Sequence, residues 1–226
     1  MQLPERIPLL EVGIGDNRCA GQLIKASGFE FRYLDPRPDQ PSMALLMAAK
    51  DSPTWRSGDL FAPMDQNLPE GDLMVRIREL FPKQPLTAMH LLALIGANGI
   101  GRLGYAIPSV PPTPAPPPLS RESLLRTAYS PAVFDELVRA YLGTGSGIAG
   151  IQPKIMIPER AAVPIPSLIV KATSASYPGL AANEFLCLTA ARNAGISAND
   201  SKRKPVVAST AFIAGASARA LATTCR

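Results

Sequence analysis

Apolar and polar residues alternate in the first part of the chain in a way that predicts strands. Phe29, Phe31 and Tyr33 are separated by single polar residues, the period of a strand with one aromatic face. Short apolar runs at 9–12 and 21–25 flank the sequence Gly-Asp-Asn-Arg, which is typical of a hairpin turn. The pattern therefore predicts an antiparallel meander of three strands.

Two helical patterns follow a segment at 57–69 that we expect to be irregular, since proline and glycine are spaced through it. Apolar residues recur at helical spacing in 72–81 and in 87–95, where Thr87 is the predicted N-cap. The only histidine, His90, lies in the second helix. No second ligand stands near it in the sequence, so we interpret it as an ordinary helical residue.

A proline-rich segment at 108–119 separates two parts of the chain. Seven of its twelve residues are proline, which excludes a helix or a central strand. The segment also resembles the P-x-x-P ligands of proline-binding domains, but we favour an extended connector. We therefore predict an N-terminal domain at 1–107 and a linker at 108–119.

The second part, 120–200, contains the elements that carry candidate chemistry. A helix is predicted to begin at Ser130-Pro131, because serine caps and proline starts helices. A glycine-rich turn, an apolar strand and a second apolar strand at 168–171 follow it. A helix that carries Glu184 comes next, and the basic segment 201–226 is expected to be disordered because it is polar and aperiodic.

The glycine-rich turn is a candidate phosphate site. Gly147 and Gly150 allow backbone N–H groups to approach phosphate oxygens, and Lys154 adds a positive charge. The turn lacks the GxxxxGK[ST] signature of P-loop proteins, so a glycine-rich surface loop is the alternative.

Lys171 and Glu184 form a second candidate pair. Lys171 ends an apolar strand, where its ammonium group could neutralise phosphate charge, although a lysine at the end of an edge strand that faces water is the alternative. We expect Glu184 in the first turn of its helix, where it could hold the lysine or interact with the helix dipole. The two roles are compatible, and Asn183 is a candidate capping residue.

These motifs together resemble the HipA family, the serine/threonine kinase toxins of bacterial toxin–antitoxin pairs. The tract Gly150-Ile151-Gln152-Pro153-Lys154 is similar to the family's G-[VA]-Q-x-K turn, and Ile169-Val170-Lys171 resembles its I-[IL]-K strand. Asn183-Glu184, Leu188 and Gly195-Ile196 resemble its helix. Upstream, 68–71 and 99–103 also resemble family patterns, so the likeness covers about residues 8 to 200.

The resemblance implies ATP and Mg²⁺ as cofactors and a DNA-binding antitoxin of HipB type as partner. It assigns nucleotide binding to six residues: Gly147, Gly150, Gln152, Lys154, Lys171 and Glu184. The family also carries a serine in the glycine-rich turn that the kinase phosphorylates on itself. Gly147 takes its place here, which leaves the neighbouring Ser146 as the autophosphorylation candidate.

The sequence departs from the family after Ile196. The family continues with a strand and an Arg-Phe-Asp motif, whereas this chain has neither that motif nor a catalytic-loop or metal-binding aspartate. We therefore predict no catalytic residue and no metal ligand, and we expect a chain truncated before its catalytic core and inactive alone. A shifted reading frame would explain the composition of 201–226.

Composition limits the other possibilities. The net charge of +5 comes from 201–226, so the rest of the chain has no excess positive charge to bind nucleic acid directly. Three separated cysteines form neither a disulfide framework nor a zinc motif. No apolar run could span a bilayer and no signal peptide is evident, so we expect a cytoplasmic protein without membrane contact.

We expect an α+β fold, with an N-terminal strand-and-helix domain followed by an incomplete kinase-like N-lobe. By ancestry the function is ATP-dependent phosphorylation of protein serine or threonine. One alternative is a non-catalytic module that docks an antitoxin or a partner kinase chain, and another is a degraded gene product.

Overall fold

The computed structural model describes most of the N-terminal half of the chain and separate segments of the rest. The described residues are 3–37, 39–96, 101–110, 130, 132–133, 135–136, 138–139, 154–157, 168–171, 178–197, 201–204 and 211–215. They divide into two compact units. Described residues up to 110, apart from Gly71–Leu73, belong to the first unit, and those from 130 onward belong to the second.

The first unit contains a five-stranded antiparallel sheet in the order β4-β3-β2-β1-β5. Its strands are β1 (Leu9–Ile14), β2 (Asn17–Lys25), β3 (Phe29–Tyr33), β4 (Thr54–Ser57) and β5 (Leu103–Ala106). The predicted meander β1-β2-β3 is confirmed. β4 and β5 extend it on either side, and each has only four residues, too few for a period to be recognised in the sequence.

Three helices lie between β4 and β5: α1 (Ala62–Asp65), α2 (Gly71–Leu80) and α3 (Ala88–Ile95). The helices predicted at 72–81 and 87–95 are confirmed within one residue at each end. The expectation of an irregular segment at 57–69 is wrong for α1. Pro63 lies in the first turn of α1, where a proline needs no N–H partner, and Met64 is fully buried.

The core of the first unit lies between one face of the sheet and α3. The register pairs Gly21 of β2 with Tyr33 of β3, and a Cβ on Gly21 would lie 2.6 Å from the Phe31 ring. Glycine is therefore required there for the aromatic face to close. The buried cluster combines sheet residues Leu10, Val12, Ile14, Leu23, Phe31 and Tyr33 with helix residues Met89, Leu92 and Ile95.

His90 is a structural residue, in agreement with its predicted role. It is 1% exposed. Its Nδ1 accepts a hydrogen bond from the N–H of Thr87, the predicted N-cap of α3, at 3.1 Å. Nε2 therefore carries the proton and donates to the carbonyl of Pro4 at 3.0 Å. The ring thus joins the start of α3 to the N-terminal segment.

The second unit contains a four-stranded antiparallel sheet and one long helix. Its elements are β6 (Lys154–Ile157), β7 (Leu168–Lys171), α4 (Leu180–Asn193), β8 (Ser201–Lys204) and β9 (Ala211–Gly215), and the strand order is β6-β7-β9-β8. Residues 132, 133, 135, 136, 138 and 139 are helical. Ser130 accepts a hydrogen bond from the N–H of Val133 at 3.2 Å, as expected of the predicted cap.

Strands β8 and β9 correct the expectation for 201–226. That segment was expected to be disordered, but 201–204 and 211–215 are strands, and β9 pairs with β7 as well as with β8. Pairing with a strand far along the chain supplies the backbone hydrogen bonds that the local composition does not predict. Both units combine antiparallel sheets with helices, so the α+β class is confirmed.

Candidate functional site

Lys171 lies at the end of β7, with a strand on either side of it. Its Cα partners are Lys154 in β6 and Phe212 in β9. The Lys171 side chain is 18% exposed. The alternative of a lysine that ends an edge strand and faces water is therefore wrong, because β7 is an inner strand and the side chain is largely covered.

Glu184 lies on α4, one turn later than the sequence suggested. α4 begins at Leu180 after Gly179, whose φ of 73° is the left-handed conformation that favours glycine. No acidic residue lies in the first turn, so Glu184 is not placed to interact with the helix dipole, an effect confined to the terminal turn. Asn183 is likewise not the cap; its side-chain oxygen accepts a weak bond from the thiol of Cys187 at 3.9 Å.

The two predicted residues meet in an ion pair. The Lys171 ammonium donates a short hydrogen bond to Oε1 of Glu184, and the glutamate side chain is 27% exposed. Because water is partly excluded, the attraction exceeds that of a fully exposed pair, which contributes about 0–1 kcal/mol. Removal of one partner leaves a half-buried charge uncompensated, which is the costlier change.

The arrangement is suited to an anion. An ammonium group has three donors, and Glu184 occupies one of them. The glutamate fixes the direction of the lysine without taking up its full hydrogen-bonding capacity. The register pairs the backbone of Lys154 with that of Lys171 at one end of the β6–β7 pair. The positive charge of the Lys171 ammonium group favours a phosphate or carboxylate ligand.

The remaining predicted site residues lie outside the part of the chain that the structure describes. These are Ser146, Gly147, Gly150 and Gln152. Their assignment to a phosphate-binding turn stays a prediction. Among the described residues, no group of three or more His, Cys, Asp or Glu side chains could hold a metal ion. Two of the three cysteines are described, and both are free and exposed: Cys19 and Cys187.

One neighbour of the site was missed by the sequence reasoning. Phe212 lies opposite Lys171 in β9, in a segment interpreted as an aperiodic tail. The run Ala-Phe-Ile-Ala-Gly at 211–215 was the available signal. It was too short to separate from the alanine-rich sequence around it.

Comparison with known proteins identifies the first unit. Residues 10–106 match the family model described as the HipA N-terminal domain. The match runs from the second residue of β1 to the last residue of β5, so it includes all five strands of the sheet except Leu9. No curated protein matches the chain significantly. Within the part of the chain that the structure describes, no helix has the length and apolar character needed to cross a membrane.

Proposed function

Because the chain is a HipA-like protein, we propose that its second unit is a kinase-like nucleotide-binding unit in which Lys171 contacts the phosphates of ATP. The ion pair between Lys171 on strand β7 and Glu184 on helix α4 is the observation that carries this proposal. Protein kinases require a strand lysine and a helix glutamate paired in this way, because the lysine then faces the α- and β-phosphates.

The proposed division of roles follows from the geometry of the pair. Lys171 supplies positive charge and hydrogen-bond donors, and Glu184 orients the ammonium group and limits its freedom before the nucleotide arrives. Lys154, whose backbone pairs with that of Lys171, is a second basic residue in the sequence of this sheet. The glycine-rich turn at Gly147, Gly150 and Gln152 would close over the phosphates with its backbone N–H groups.

The donor set of the described residues fits a phosphate better than it fits Mg²⁺. Magnesium is usually held by carboxylates and phosphate oxygens. The carboxylate of Glu184 is already paired with Lys171, and the described residues contain no cluster of three potential ligands. We therefore assign no residue to the metal and derive no transfer step through it. The proposal is nucleotide binding, with kinase activity as the function of the ancestor.

The expected affinity is low. With no residue assigned to the metal and none assigned to the adenine, the phosphate contacts must supply the affinity. Binding no tighter than about millimolar, or roughly 4 kcal/mol, is the level that such a site should reach. Lys171→Met should weaken binding at least tenfold, which corresponds to about 1.4 kcal/mol.

We would test this by titrating the full chain with ATP and following backbone amide signals by NMR. Signals of Lys171 and Glu184 should shift with a Kd on the order of 1 mM. Lys83→Met is the matched control, since it removes the same charge from an exposed site in the first unit. Its titration should match that of the unmodified chain. Unchanged ATP affinity in Lys171→Met would refute the proposal, and micromolar affinity for Mg-ATP would show that the site is more complete than we propose.

We propose a second function for the first unit, docking of a protein partner. Its own core and the match to a HipA N-terminal domain favour this function. The family resemblance implies an antitoxin of HipB type, and a partner kinase chain is the other candidate. Mixing the full chain with a HipB-type antitoxin and measuring complex mass by light scattering tests it. Elution of both proteins at their separate masses at micromolar concentrations would contradict antitoxin docking.

A further inference from the structure

Strands β8 and β9 lie on one side of the strand that carries Lys171, although neither contributes a predicted site residue. β9 lies between β7 and β8 in the sheet. All four residues of β7 have partners in β9, from Leu168 opposite Gly215 to Lys171 opposite Phe212. β9 therefore supports β7 along its whole length, on the side opposite β6.

The same two strands also support the helix. α4 contacts both β8 and β9, so the helix that carries Glu184 rests on this strand pair. The ion pair then links α4 to the neighbouring strand β7. Both partners of the ion pair thus have their backbones placed by 201–204 and 211–215.

We propose that the β8–β9 strand pair is a positioning element of the nucleotide site, required to hold Lys171 and Glu184 within hydrogen-bonding distance. This inference rests on the proposed function only for the identity of the ligand that Lys171 binds. The support of the ion pair by β8 and β9 does not depend on that function. Two long side chains form a persistent ion pair only when their backbones are fixed, since otherwise the loss of side-chain entropy offsets the attraction. Opening of β9 removes a neighbour from β7 and the packing surface from α4 at once.

Hydrogen exchange on the full chain, without nucleotide, tests this first. If β9 holds the pair, the amides of β7, α4 and β9 open together as one cooperative unit. We expect protection factors for Val170, Glu184 and Ile213 that agree within about threefold. Fast exchange in β9 beside strong protection of Val170 and Glu184 would overturn the inference. This measurement needs no variant, so it decides even if a variant fails to fold.

A proline variant tests the inference directly. Ile213 pairs with Val170 on one side and Lys202 on the other, so Ile213→Pro disrupts the centre of an inner strand. Ser201→Pro is the matched control, because the first residue of a strand tolerates proline. We expect exchange at Val170 to accelerate at least tenfold in Ile213→Pro and less than threefold in Ser201→Pro.

The NMR signal of the Lys171 ammonium group reports on the ion pair directly. It therefore distinguishes positioning of the pair by β8 and β9 from a general effect of these strands on stability. The NMR signal of the Lys171 ammonium group should differ from that of exposed Lys83 in the unmodified chain, and the difference should vanish in Ile213→Pro. The conservative variant Ile213→Val should retain it. A Lys171 signal that persists in a folded Ile213→Pro protein would overturn the inference. If ATP binds to none of these proteins, the proposed function fails while the ammonium signals still decide the positioning role.

Discussion

The hydroxyl group of Tyr33 contacts the segment that connects β3 to β4 at two points. The Tyr33 side chain is nearly fully buried, and its hydroxyl accepts a hydrogen bond from the N–H of Met43 at 2.7 Å and donates one to the carbonyl of Met47 at 2.5 Å. Between these two points lies a turn closed by the N–H of Met47 on the carbonyl of Ala44. We predict that Tyr33→Phe substantially destabilises the first unit.

The magnitude follows from what the substitution leaves behind. The Tyr33 ring packs edge-on against Phe31 with centroids 4.8 Å apart, and a phenylalanine preserves that contact. Two polar groups of the backbone lose their partner, and a buried group without a partner costs about 1–3 kcal/mol. Since the Met47 bond is only partly buried, we expect a total loss of about 2–4 kcal/mol.

Urea denaturation measures this loss. The only tryptophan, Trp55, lies in β4 and reports on the first unit by fluorescence. The denaturation midpoint should fall with the slope m unchanged, because a change in stability alone moves only the midpoint. In parallel, the amide of Met43 should exchange faster with solvent.

The matched control is Tyr105→Phe, the same chemical change in β5. The Tyr105 hydroxyl accepts a hydrogen bond from Asn67 Nδ2 at 3.2 Å, but that amide group also donates to the carbonyl of Pro63 at 3.3 Å. Tyr105→Phe therefore leaves one of the two amide N–H donors of Asn67 without a partner, whereas Tyr33→Phe leaves two backbone groups without one. The cost of Tyr105→Phe should be about half as large, about 1–2 kcal/mol. Equal losses in the two variants would refute the reasoning that the Tyr33 hydroxyl stabilises through its two backbone bonds.

Three further predictions concern the same unit. Gly21→Ala should cost about 1–3 kcal/mol by denaturation, because a Cβ there would lie 2.7 Å from the carbonyl oxygen of Arg32, whereas Gly58→Ala, with open space around the Cβ, should cost nothing. Burial raises the pKa of Tyr105 to about 12, so the contribution of Tyr105 to stability should be constant below about pH 10 and fall by about 2–3 kcal/mol toward pH 12. Tyr105→Phe should remove this part of the fall in pH-dependent denaturation. His90→Ala should lower the thermal midpoint and speed proteolysis before Ile7, since the Pro4 carbonyl loses its ring partner; unchanged cleavage would contradict this.

The sequence predicted secondary-structure elements best where they are marked by the spacing of apolar residues or by a capping residue. The alternation of Phe29, Phe31 and Tyr33 predicted β3, and threonine before an apolar helical run predicted the start of α3. In both cases the residues that determine the element are adjacent in the chain. The short strand β5 was missed because its pairing with β1 depends on residues about ninety positions away.

The contacts of the candidate site were also predicted only where the residues are close in the sequence. Lys171 and Glu184 are thirteen residues apart, within one strand–helix segment, and the sequence was sufficient to predict that they meet. The position of Glu184 on its helix was predicted wrongly, because the αL conformation of Gly179 starts α4 earlier than the apolar pattern suggested. Residues that flank the pair in the sheet, such as Phe212, could not be predicted, because nothing in a five-residue apolar run specifies which strand it joins.

Local sequence predicted the contact between Lys171 and Glu184, whereas the strand pairing beside them depends on residues far along the chain. The same distinction applies to how the site is held together. A lysine and a glutamate on consecutive elements determine which contact is possible, but an ion pair with partial water access is too weak to hold a helix against a sheet by itself. The surface that α4 requires comes from β8 and β9, and the strand that carries Lys171 is paired with β9 along its length. The chemistry of the site is therefore specified by 168–184, whereas its geometry is specified by a strand pair that follows α4 in the chain. A substitution in β9 should consequently affect the site as strongly as one beside Lys171.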